Sequence, residues 1–431
     1  MISSVRLWHI TPADLGTEFL DPTETLLEIN SELYDFVNSD RPIDKKCYSK
    51  TDYASLIKMR NFLSKVKEAI ADTEIQISPN YPNVANCIAQ FKLKDEIYCY
   101  MMVSGIVVFL DLGSPVPFDD ANYFSIEVFC ERQQYEYDYC YNCDNSERKQ
   151  VVYDFLDILW DCIDDKEFPF SSAKNFGNHG IRYTLCIYVI DDPDMVSNDV
   201  QTQFKRNIRA LLDTSALNNI LDDIDRDAIQ KYIDNDPIND IQILELSENL
   251  IFADHWSGVV IAGNITPHNE VVLRRFIEFE IWLQSNWLLF DAYCENIGKR
   301  QMSAIELQGI LNRVEMIKVQ LENDISSNME PGQLKMRQAL VLSSGINTIY
   351  QRMYGMTSNK LKMVLMNNEK TKTKYAILSD ISLSIIALLQ VYGVINSLIA
   401  KESFSRGDIT TIFIMLAITI VCVWIMIKSR K

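Results

Sequence analysis

Two long uncharged runs near the C-terminus constrain this chain more than any other feature. Residues 381–400, ISLSIIALLQVYGVINSLIA, form a run of 20, and residues 409–427, ITTIFIMLAITIVCVWIMI, a run of 19. At about 1.5 Å per helical residue, each is long enough for a hydrocarbon core about 30 Å thick, so the sequence predicts two transmembrane helices. Only eight residues separate them, KESFSRGD at 401–408, which makes the pair an antiparallel hairpin with a short loop. Lys360, Lys362, Lys370, Lys372 and Lys374 precede the first run, and Lys428, Arg430 and Lys431 follow the second. The loop carries only Lys401 and Arg406, so this asymmetry predicts that both termini are cytoplasmic.

The second run is nearly all apolar, whereas the first carries a polar stripe. At about 100° per residue Ser379, Ser382, Gln390, Gly393 and Ser397 fall in an arc of about 80°, with Asn396 at its edge. Asp380 stands at the inner boundary. In a symmetric oligomer Asp380, Ser382, Gln390, Gly393 and Asn396 would line a pore, with Asp380 as a ring of carboxylates. The alternative is that Ser, Gln and Asn join helices by hydrogen bonds within the membrane.

About 370 residues precede the first run, enough for a sizeable core with helical extensions. The net charge of −18 argues against unspecific DNA or RNA binding, although a small anionic ligand could find a local basic pocket. Acidic clusters recur: Asp161, Asp164 and Asp165; Asp191, Asp192 and Asp194; Asp222, Asp223, Asp225 and Asp227; Asp234, Asp236 and Asp240. Carboxylates in such numbers are chemically able to bind hard divalent cations, and equally able to form solvated faces. Ten cysteines show no disulfide framework, and Cys140 and Cys143 form a lone CxxC without a nearby histidine. The histidines, His9, His179, His255 and His268, are scattered, and there is no HExxH, nucleophile or Walker-type motif, so enzymatic chemistry is not supported.

Patterning before residue 265 predicts a strand at 4–10 and helices at 22–38 and 51–71, the latter capped by Ser49 or Thr51. Antiparallel strands are predicted at 85–93, at 96–112 with a break at Ser104 and Gly105, and at 123–131. A helix at 147–162, a strand at 182–190, helices within 200–233 and strands at 241–246 and 256–262 complete an α+β, or mixed α/β, fold. From Thr266 and Pro267 the pattern becomes helical, to about Asn296 with Gly298 as its stop, and then again from Ser303 to Ser326. Pro331 opens what reads as one helix of about 70 residues, roughly 100 Å, ending at Ala400. Leu342, Ile346, Ile349, Met353 and Met356 follow a spacing suited to a seam against a partner helix, with Gly345 and Gly355 as bends or close approaches.

A large N-terminal part, a long helix entering the first span, a short outer loop, a second span and a basic tail resemble the CorA superfamily of divalent-cation channels. Its members carry Tyr-Gly-Met-Asn at the end of the first span. Here Tyr392 and Gly393 match, and Asn396 matches with one extra residue, which turns its side chain by about 100°. The resemblance implies a cytosolic α/β domain at 1–265, a helical hairpin at 266–330, a stalk at 331–380, a pore-lining span at 381–400, an outer loop at 401–408, a second span at 409–427 and a basic tail at 428–431. It implies a homo-oligomer, pentameric or alternatively tetrameric, in a bacterial or archaeal inner membrane, multi-pass in the lipid bilayer. It also brings Mg2+ or another divalent cation as permeant ion or regulator. Some CorA-like proteins accompany type III CRISPR systems and respond to an adenylate-containing second messenger. The altered motif fits such a signal-gated antiviral effector, with a divergent magnesium transporter and a membrane-anchored scaffold as the alternatives.

Overall fold

A computed structural model describes residues 4–16, 19–20, 28–39, 41–113, 147–163, 181, 183–191, 242–247, 250–255, 258–326, 331–399, 407, 410 and 413–414. The chain divides into two units, Met1–Ser358 and Asn359–Lys431.

The first unit is built on a nine-stranded mixed sheet, with the order β2-β3-β4-β5-β1-β6-β9-β8-β7 among the described residues. The strands are β1 Ser4–Asp14, β2 Gln76–Ile77, β3 Cys87–Lys92, β4 Ile97–Met102, β5 Ile106–Asp111, β6 Leu185–Asp191, β7 Gln242–Ser247, β8 Leu250–His255 and β9 Gly258–Gly263. Short connections make β3, β4 and β5 an antiparallel meander, as the sequence predicts, and β7, β8 and β9 a second one. The first strand closes the gap between them. β1 pairs antiparallel with β5 on one side and with β6 on the other. The sheet as a whole is mixed, because β6 and β9 run parallel, Ile187 opposite Val259. The long connection between them, which contains β7 and β8, makes that pairing accessible.

Alternation gives the sheet two faces. Ala89, Phe91, Cys99, Met101, Val107 and Phe109 point into a core with helices α1 Ser31–Asn38, α2 Lys50–Ala69 and α3 Glu147–Asp161. Phe155 of α3 seats its ring 5.0 Å from that of Phe91. Local caps set where these helices start: Asn30 Oδ1 accepts from the Leu33 amide at 3.0 Å, and Ser49 Oγ from the Asp52 amide at 3.1 Å. The strand predicted at 123–131 and the helices within 200–233 lie outside the described residues.

Helix α4, Pro267–Lys299, packs on β1 and β5. Thr266 caps it, accepting from the Asn269 amide at 3.3 Å, and Pro267 occupies the first turn. The helix runs one residue past the predicted stop at Gly298. Helix α5, Ala304–Ser326, begins in a capping box: Ser303 Oγ accepts from the Glu306 amide at 3.2 Å, and Glu306 Oε2 accepts from the Ser303 amide at 2.7 Å. The predicted continuous C-terminal helix is two helices, α6 Pro331–Ser343 and α7 Ile346–Ile399. Gly345, at φ +64°, makes the break, while Gly355 lies inside α7. Ile346, Ile349 and Met353, expected to face a partner helix, are buried within this chain's own first unit.

One expectation is corrected at the level of fold class. Among the described residues no helix is long and apolar enough to cross a membrane, so the two C-terminal transmembrane helices of the predicted α+β, stalk and hairpin architecture are not seen. The structure is an α+β fold with seven α-helices among those residues. The multi-pass membrane protein, its location in a bacterial or archaeal inner membrane and the two-span CorA-like architecture go with that correction. The physical reason is visible on α7, whose described side chains run continuously as far as Ser379. That stretch carries Lys360, Lys362, Glu369, Lys370, Lys372 and Lys374, a density of charge that a hydrocarbon core does not accept. Residues 381–399 continue the same helix, and the run at 409–427 lies outside the described residues except at Thr410, Phe413 and Ile414.

Candidate functional site

The sheet face opposite α1, α2 and α3 meets the N-terminal half of α4 and leaves a cleft of about 630 Å³. Every strand near the centre contributes by period-two alternation. Arg6 and Trp8 come from β1, Gln90 from β3, Tyr98 and Tyr100 from β4, Leu110 from β5, and Val189 and Asp191 from β6. The turn at Tyr81, Pro82 and Asn83 closes one end, and Asn83 takes φ 57°, a left-handed conformation that Asn tolerates well. Helix α4 supplies Glu270, Leu273, Arg274, Ile277 and Glu278.

The walls divide by chemistry. Tyr81, Tyr98, Tyr100 and Trp8 provide flat aromatic surface. Tyr81 is fixed through its hydroxyl, which donates to the Ile29 carbonyl at 3.1 Å or the Val84 carbonyl at 3.0 Å. Burial pushes that hydroxyl up to about 12. Tyr100 accepts from Gln90 Nε2 at 3.1 Å, and burial raises its hydroxyl well above the ordinary range. Trp8 is 6% exposed, and its indole N–H has no hydrogen-bond partner among the described residues. Arg6 and Arg274 are exposed cations at the rim. Asp191 is structurally committed, accepting at Oδ1 from the Ile265 amide at 3.0 Å where the chain enters α4. Burial raises the Glu278 carboxyl, and Arg274, Arg275 and Arg337 pull it back down. Flat aromatic walls beside guanidinium groups suit a planar heterocycle that carries an anionic group.

Two other polar clusters are structural. On the opposite sheet face Arg148 of α3 grips Asp111 of β5, with Nε at 3.1 Å from Oδ1 and 2.9 Å from Oδ2, and donates through Nη2 to the Asp95 carbonyl at 2.7 Å. His9, opposite Asp111 in the ladder, is lowered to about 4 by burial, with Asp111 acting against that shift and Arg148 and Lys149 adding to it. A separate cavity of about 30 Å³ beside Arg313 holds no more than about one water. The Arg313 guanidinium is committed there, its Nη1 3.3 Å from the Leu20 carbonyl and 3.3 Å from the Tyr293 hydroxyl.

Of the residues singled out from the sequence, Asp191 lines the cleft, and the pore-lining and motif candidates do not. Asp380, Ser382, Gln390, Tyr392, Gly393 and Asn396 are strung along α7 in the second unit. Ser382 donates to the Leu378 carbonyl at 2.9 Å, and Tyr392 is exposed; the side chains of Asp380, Gln390 and Asn396 are outside the description. Of the acidic clusters, Asp161 and Asp191 are described; the rest, with Cys140, Cys143 and His179, lie outside it. No three His, Cys, Asp or Glu side chains among the described residues are placed to hold a metal ion. The other cleft residues were missed because they are scattered from Arg6 to Glu278. The available signal was Tyr98 and Tyr100 alternating with core-facing Ile97, Cys99 and Met101.

Fold and cleft together define an α+β protein in which a mixed sheet and a long helix enclose a polar, aromatic-walled ligand cleft. No family model matches the chain, and no curated protein matches it significantly.

Proposed function

We propose that this chain is a ligand-responsive effector whose cleft takes a small planar molecule bearing an anionic group. The class implied by the CorA-like resemblance is an adenylate-containing second messenger. The observation that carries this reading is the pairing of the Tyr81, Tyr98 and Tyr100 wall with Arg6 and Arg274 in a cleft of about 630 Å³. That volume lies within the range of small-molecule sites, roughly 300 to 1,000 Å³. A base stacked on tyrosine gains about 1–3 kcal/mol, and a guanidinium favours phosphate oxygens by a charge-assisted hydrogen bond. Ion conduction needs membrane spans, which no helix among the described residues supplies, so only the signal-sensing half of the expected function is carried forward.

The test is titration calorimetry of the full chain with AMP, ATP and a dinucleotide such as ApA. Micromolar binding is expected for at least one of them. Tyr98→Ala and Arg274→Met should each weaken it by about tenfold. Absence of binding by all three, or binding that neither substitution alters, would sink the nucleotide reading.

A further inference from the structure

We propose that the indole N–H of Trp8 is the second donor to the anionic group that Arg274 takes, the two reaching it from the floor and the wall of the cleft. This inference rests on the cleft being a ligand site, and it names the contact that fixes the anionic group there. Trp8 lines the cleft at 6% exposure, and its N–H has no hydrogen-bond partner among the described residues. Its ladder neighbour on β6 is Ile187, and its neighbours on the same face of β1 are Arg6 and Ile10. Helix α4 adds Leu273 and Ile277 to the lining. None of these side chains carries an acceptor. A buried donor left unpaired costs free energy, and the cleft is the space beside it from which an acceptor can come.

The strand registers put Trp8 and Arg274 at one level. Asp191 lies opposite Ser4 of β1, and its Oδ1 accepts from the Ile265 amide at 3.0 Å, so α4 sets out beside Ser4. Further along, Trp282 and Asn286 of α4 border one small cavity with Met102 and Val103. That is the far end of β1, since Met101 is level with Ala13 through Val107. Helix α4 therefore runs in the direction of β1. From Ser4 to Trp8 is four strand residues, about 13 Å, and from Ile265 to Arg274 nine helical residues, also about 13 Å. Tyr98, level with Ile10 through Leu110, comes about 7 Å beyond Trp8. An anionic group between Trp8 and Arg274 thus follows a ring stacked on Tyr98 as a phosphate follows a base across one ribose. Arg274 supplies charge, and the indole N–H, a donor without acceptor capacity, supplies a fixed direction.

The test reads the indole proton resonance of Trp8 in the full chain, assigned by elimination from phenylalanine variants of the other tryptophans. Binding of AMP, ATP or ApA should move it downfield, as a new hydrogen bond does to a donor proton, and adenosine, which lacks the anionic group, should not. In calorimetry Trp8→Phe should weaken the nucleotides by about tenfold and leave adenosine unchanged. A nucleotide that binds without moving the resonance overturns the proposal. So does a Trp8→Phe variant that loses adenosine and nucleotide alike, which is the mark of packing alone. Because the resonance is read in the wild-type chain, the test survives a Trp8→Phe variant that fails to fold. Failure of all three nucleotides to bind overturns the nucleotide reading by itself, and inorganic phosphate is then the probe. A Trp8 resonance that phosphate moves downfield supports the proposal, and one that it leaves in place overturns the proposal as well.

Discussion

Glu280 is a buried carboxyl group held away from its ordinary state. It is 2% exposed on α4, and Gln284 Nε2 donates to its Oε1 while Gln284 Oε1 accepts from the Tyr183 hydroxyl. Its second oxygen has no partner among the described residues. Burial pushes the carboxyl up to about 7, with the Gln284 hydrogen bond acting weakly against it. The unfolded chain releases this proton near pH 4.5, whereas the folded chain holds it until about 7. Stability therefore falls as pH rises between those values, by about 3 kcal/mol in all, and is level above them. Glu280→Gln should remove that slope, stabilising the protein at pH 8 and leaving it nearly unchanged at pH 4.5. Urea melts at the two pH values decide it, and an unaltered slope would place the titration elsewhere. Asp111, by contrast, is a buried carboxylate with a partner: it is 1% exposed and paired with Arg148. Arg148→Met leaves that carboxylate buried with the Gly113 amide, which donates to it at 2.8 Å. The expected loss is about 3 kcal/mol in a denaturant titration, since an orphaned buried charge costs more than the pair contributes.

Among the elements, two glycines of similar appearance have opposite roles. Gly345 holds φ +64° at the turn between α6 and α7, and a Cβ there would meet nothing within 4 Å, so its requirement is conformational. Gly345→Ala should cost about 1 kcal/mol, the price of a left-handed alanine. Gly355 has the same empty surroundings but ordinary helical backbone inside α7. Gly355→Ala should therefore stabilise by about 0.5–1 kcal/mol. Thermal melts of both variants check the pair, and shifts of the same sign would refute the distinction. The sequence suggested bends or close approaches at both glycines, because a weak helix former looks alike in either setting. The starts of α2, α4 and α5 were legible, since Ser49, Thr266 with Pro267, and Ser303 act through hydrogen bonds within a few residues. The seam of Ile346, Ile349 and Met353 was legible as apolar, but not as internal: helical spacing defines a face and says nothing of what covers it.

For the whole molecule, the sequence by itself determined the α+β alternation, the two faces of each central strand, the helix caps and the −18 charge. These follow from local rules: side chains alternate along a strand, apolar residues recur every three or four along a helix, and caps act across three residues. Tertiary structure decided the rest. It placed the first strand at the centre of the sheet, turned β6 parallel to β9, and carried Arg6, Tyr98 and Arg274 to one cleft. Period two tells which side of a strand is buried, but not which strand lies beside it, because pairing is settled by competition among long-range contacts. Long apolar runs dominated the reading of the C-terminus for a related reason. Hydropathy is a local quantity: it marks an apolar run and says nothing of what that run packs against.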